Sequence, residues 1–86
     1  MTKKAQKNLK QYNKAILAYT KAIENNKSDV VSYVYRGESY IHSEDRKSGM
    51  KDFKQVISLT KYRTDFKPWL ERVELLIEIH KRKFFS

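Results

Sequence analysis

Residues 33–40 read YVYRGESY, a stretch with helical spacing and Gly37 at its centre. A glycine inside a helix costs roughly 1 kcal/mol against alanine, because the unfolded chain has more freedom to lose there. The usual compensation is close approach by a second backbone. Tyr33 and Tyr40 are large rings placed to wall such a contact. The stretch predicts tightly crossed helices.

Four segments of the chain carry helical periodicity. Ala5, Leu9, Tyr12, Ile16, Tyr19 and Ile23 recur at steps of three and four with no breaker between them, which predicts a single long helix. The run NNKSD at 25–29 ends it, and Ser28 or Asp29 is placed to cap a second helix from about Val30 to His42. Ser43-Glu44-Asp45 supplies a turn and a further cap before a third helix over about Arg46 to Thr60. KYRTDFK at 61–67 reads as a linker. Pro68 suits the first turn of a fourth helix, where its missing N–H costs nothing, and that helix runs to about Lys83. Glycine and proline total three residues and no strand-length alternation occurs, so the expected class is all-α.

The chain also repeats itself. AILAYTKAI at 15–23 lies 34 residues before GMKDFKQVI at 49–57, so Ala15 matches Gly49, Tyr19 matches Phe53, Ala22 matches Val56 and Ile23 matches Ile57. Small, aromatic, small, aliphatic is a helix face suited to a close neighbour. A period of this length built from paired helices points to a helical solenoid.

In the second helix, Val30, Tyr33, Val34, Gly37, Tyr40 and Ile41 share one broad packing face. Val31, Tyr35, Glu38 and His42 form a separate stripe that the core does not require.

These residues carry a resemblance to the tetratricopeptide repeat family. Tyr33-x2-Arg36-Gly37-x2-Tyr40 followed by Gly49-x3-Phe53-x2-Val56 is similar to that family's spacing of aromatic, small and aliphatic positions. One complete unit spans residues 30–63. Residues 11–27 resemble the second helix of a preceding unit, and Trp69-x2-Arg72-Val73-x2-Leu76, displaced by two residues, resembles the opening helix of a third, within a terminal helix at 68–84. Arg36 stands where leucine is common, Glu44 where the turn usually holds glycine, and Lys61 where the unit ends in proline. The resemblance implies a single domain over 1–86, an antiparallel helix-turn-helix array, in which Gly37 and Gly49 face each other across one crossing.

It further implies a concave wall that holds a peptide or a partner's helix. Carried onto this chain, that wall would be Val31, Tyr35, Glu38 and His42, joined by Glu71 and Glu74 of the fourth helix. Such acidic residues disfavour capture of a carboxylate terminus and favour a basic or amphipathic segment. The function expected is a non-catalytic protein–protein interaction or scaffold module.

Charge supplies the alternative. The net charge is +9, and residues 1–28 alone hold seven lysines against Glu24. Lys3, Lys7, Lys10, Lys14 and Lys21 of the first helix are candidates for phosphate contacts with nucleic acid, with Tyr12 and Tyr19 on the same helix for base stacking. Chemistry of other kinds finds no footing. There is no cysteine, His42 and His80 fall on different helices without metal-ligand spacing, and no phosphate loop or nucleophile elbow occurs, so neither cofactor nor metal is expected. His80 falls within the apolar stripe of the fourth helix, as a packing histidine. No apolar run approaches the length of a membrane span and no secretory signal is visible, which predicts an intracellular, cytoplasmic protein. Solenoids normally need three or more units, and this chain carries about two plus a helix. Either it self-associates, a symmetric dimer being the simplest closure, or it belongs to a longer repeat chain.

Overall fold

In the computed structural model, which describes the backbone of residues 3–85 and the side chains of residues 9–81, four α-helices follow one another. They are α1 (Lys3–Asn25), α2 (Val30–His42), α3 (Arg46–Thr60) and α4 (Lys67–Phe85). Ala5, Phe84 and Phe85 have side chains outside the described residues. Consecutive helices pack antiparallel, α2 and α4 run side by side, and among the described residues α1 meets only α2. The result is a slab 44 × 36 × 18 Å.

The helix ends follow from local chemistry. Asp29 caps α2 by accepting from the Ser32 backbone N–H at 3.2 Å and from its hydroxyl at 2.8 Å. Asp45 caps α3 by accepting from the Ser48 backbone N–H at 3.2 Å. Pro68 falls in the first turn of α4, as its missing donor demands. Between α2 and α3 the Asp45 N–H reaches back to the Tyr40 carbonyl at 2.8 Å and the Glu44 N–H to that of Ile41 at 3.1 Å. This is a Schellman closure, and its left-handed position is held by Glu44 at φ 67°. A glycine would adopt that conformation without strain.

The core forms where α2 meets its neighbours. Val34, Phe53, Val56 and Val73 are fully buried, with Ile23, Val30 and Tyr33 closing around them. Gly37 and Gly49 lie at one crossing. A methyl carbon added at Gly37 would fall 2.5 Å from Phe53 Cε1 and 3.2 Å from the Gly49 carbonyl oxygen. One added at Gly49 would fall 2.8 Å from the Gly37 carbonyl oxygen. Neither glycine has a positive φ, so both serve close approach and not an unusual backbone angle. Of the face expected to pack, Val30, Tyr33, Val34 and Gly37 are buried, and Tyr40 and Ile41 are half-buried.

Over this crossing lies an ion pair. Arg36 donates to both carboxylate oxygens of Asp52, at 2.8 and 2.7 Å, and to the Thr20 hydroxyl at 3.1 Å. Arg36 is therefore a cation that ties α1, α2 and α3 together. Its guanidinium also lies 5.6 Å from the Tyr33 ring and 5.7 Å from that of Tyr40. The hydrogen bonds to Asp52 raise the Arg36 pKa above its usual value, against the opposing effect of burial.

Candidate interaction surface

The α2 stripe of Val31, Tyr35, Glu38 and His42 is flanked by α1 on one side and α4 on the other. Tyr35 stacks on Tyr19 of α1, with ring centroids 5.8 Å apart, and meets the edge of Trp69 of α4 at 5.6 Å. His42 stacks on Tyr12, 4.9 Å away and only 14° from parallel. Arg72 of α4 forms a bidentate pair with Glu38, one of its bonds at 2.9 Å, and lies 5.7 Å from the Tyr35 ring. That pairing raises the Arg72 pKa, mainly through the hydrogen bonds to Glu38. Val31 and Tyr35 are half-buried, and His42 is exposed on its outer edge. The wall is an aromatic row, Tyr19–Tyr35–Trp69, with a neutralised charge pair beside it.

Three expectations need correction. Tyr35 is not outside the packing, because α1 and α4 hold its ring from two sides. Glu38 does not present a free negative charge, because Arg72 matches it. Glu71 and Glu74 are exposed but are not brought to this stripe. At about 100° per residue they stand roughly 160° and 140° from Trp69, the α4 residue that meets Tyr35, and Glu71 reaches only the outer rim beside Trp69 and Arg72. Trp69 and Arg72 take the place expected for them. The signal that would have found these two is the period itself, since Glu38 and Arg72 lie 34 residues apart and so do Tyr35 and Trp69.

On the other side of α1, Lys10, Lys14 and Lys21 are exposed, while the side chains of Lys3 and Lys7 lie outside the described residues. Tyr12 and Tyr19, expected to stack on bases, are stacked on His42 and Tyr35 instead. Each ring is half-buried, with one face taken by its partner in α2. Among the described residues no group of three histidine or acidic side chains is placed to hold a metal ion, and no helix is long and apolar enough to cross a membrane. Comparison with protein families, with curated proteins and with solved structures gives no significant match in any of the three.

Proposed function

We propose that the chain is a non-catalytic interaction module of the tetratricopeptide kind, which receives an amphipathic peptide or partner helix along the α2–α4 wall. The observation that carries this reading is the pair of contacts between residues 34 apart, Glu38–Arg72 and Tyr35–Trp69. Their separation equals the period of the internal repeat read from residues 15–23 and 49–57. Equal spacing of contact and repeat is what stacking of like units requires. The wall offers aromatic edges for an apolar stripe and an exposed arginine–glutamate pair for polar anchors. The preference for a basic ligand loses the support of Glu38 and narrows to amphipathic character.

Selection of helical peptides against the intact chain, followed by calorimetric titration of the best binder, tests this. His42→Ala and Arg72→Ala should each weaken binding at least severalfold while the helical circular dichroism stays unchanged. A library that yields no binder, or binding indifferent to both substitutions, overturns the reading.

A second reading, phosphate contact through α1, keeps the support of exposed Lys10, Lys14 and Lys21. Titration with duplex and single-stranded DNA at two salt concentrations separates it, because phosphate binding must weaken steeply as salt rises.

A further inference from the structure

We propose that copies of this chain associate head to tail, the outer face of α4 in one copy seating on α1 of the next in the manner that α2 seats on α3. This contact rests on the same 34-residue period as the proposed function and uses a face of α4 that borders the peptide wall, where Glu71 and Leu75 share a shallow concavity with Trp69 and Arg72.

Inside the chain, α2 meets α3 through Gly37 against Gly49, Ile41 against Gly49, and Arg36 against Asp52. Advancing the α2 residues by one period and moving the α3 residues back by one gives the corresponding faces of α4 and α1. Ile41 becomes Leu75 and Gly49 becomes Ala15; Arg36 becomes Leu70 and Asp52 becomes Ala18. Among the described residues α4 packs on α2 and α3 but not on α1, and α1 meets only α2. Leu75 is accordingly 61% exposed, and Ala18 is exposed as well. Each face lacks the neighbour that its internal counterpart has.

The two faces suit each other. Where the internal crossing holds the arginine–aspartate pair, the outer one brings Leu70 to Ala18, so an apolar contact replaces an ionic one and neither partner is left unmatched. Leu75 gains Ala15 as a small seat. In the same register Glu74 falls opposite Lys14, an acid on α4 against a base on α1. Glu71 and Ala15 stand where Gly37 and Gly49 touch, so the outer crossing is wider than the inner one.

A second copy is the occupant because one chain carries both halves: an acidic, leucine-bearing face on α4 and a lysine-flanked alanine face on α1. These faces are unlike, so the contact is heterologous. It leaves one open face at each end and extends into rings or filaments, in place of the symmetric dimer expected from sequence.

Sedimentation velocity over a wide concentration range tests it with three proteins, each first checked for an unchanged helical spectrum. The intact chain should gain mass with concentration beyond two copies. Leu75→Glu and Ala18→Glu should each be monomeric alone, since each blocks one face of every copy. An equimolar mixture of the two variants should form a dimer and nothing larger, because only one productive interface remains. A monomeric intact chain, growth that stops at two copies, or a mixture that stays monomeric would each overturn the proposal.

Discussion

Two arginine–carboxylate pairs hold α2 to its neighbours, and they differ in almost everything but chemistry. Arg36–Asp52 lies inside, with the side chains only 17% and 5% exposed, and it bridges three helices with help from Thr20. Arg72–Glu38 lies at the wall, with side chains 48% and 19% exposed, and it joins α4 to α2 alone. Both are bidentate, so geometry does not separate them. Solvent does. Water screens the outer pair and can replace either partner, whereas loss of one inner partner strands a charge among packed rings. The inner pair fixes how the helices cross; the outer pair, open to water, can come apart and re-form at small cost.

The most severe way to break this arrangement is to push apart the crossing beneath the inner pair. Gly37→Leu drives a side chain into the Phe53 ring and the Gly49 carbonyl. Overpacking of this kind costs about 1–3 kcal/mol or more. With backbone on one side, no flexible side chain yields, so the upper end of that range or outright loss of folding is expected. Thermal unfolding followed by circular dichroism measures it, and an unchanged melting temperature would show that the crossing is looser than the distances say.

Removing the inner carboxylate comes next. Asp52→Ala leaves Arg36 without its main partner, and breaking a buried pair costs about 3–5 kcal/mol when both ions are fully enclosed. Arg36 keeps some exposure, so about 2–4 kcal/mol is expected from urea unfolding. The double variant Arg36→Leu with Asp52→Ala places there the residue types found one period on at Leu70 and one period back at Ala18. It should be more stable than Asp52→Ala alone, because an apolar contact strands no charge.

A change of opposite sign acts on the turn that sets the α2–α3 register. Glu44 occupies a left-handed position that costs an L-residue roughly 1 kcal/mol or more. Glu44→Gly releases that strain but adds freedom to the unfolded chain, so a net gain of about 0.5–1 kcal/mol is expected. A lower midpoint in urea would mean that the glutamate side chain supplies something the backbone geometry does not reveal.

Much of this was legible from residue order. Helix limits follow from breakers and caps within a few residues, so Asn25–Asp29, Ser43–Asp45 and Pro68 marked them. Gly37 by itself pointed to a close approach, and the resemblance to the tetratricopeptide spacing named Gly49 as its partner. The inner ion pair was not. Arg36 and Asp52 are 16 residues apart, and only the register of two antiparallel helices brings them together. The wall was half legible for a related reason. Periodicity placed Tyr35 and Glu38 on one stripe, but it could not say that Tyr19 and Trp69 close over Tyr35. Glu71 and Glu74 were misplaced because the aromatic at 69 was matched to Tyr33, two residues off the period that joins Trp69 to Tyr35.

The outer pair should give the smallest change in stability. Glu38→Gln keeps the shape of the side chain and removes its charge, leaving Arg72 able to turn into water, where it is already about half exposed. Exposed pairs contribute about 0.2–1 kcal/mol, so a loss within that range is expected, reduced further at high salt. The Tyr35–Trp69 contact is untouched by the change, which separates the charge from the packing at the same place. A loss approaching that of Asp52→Ala would mean that Arg72 is held as rigidly as Arg36. The wall would then be a closed part of the core, with no polar anchor free to exchange with a ligand.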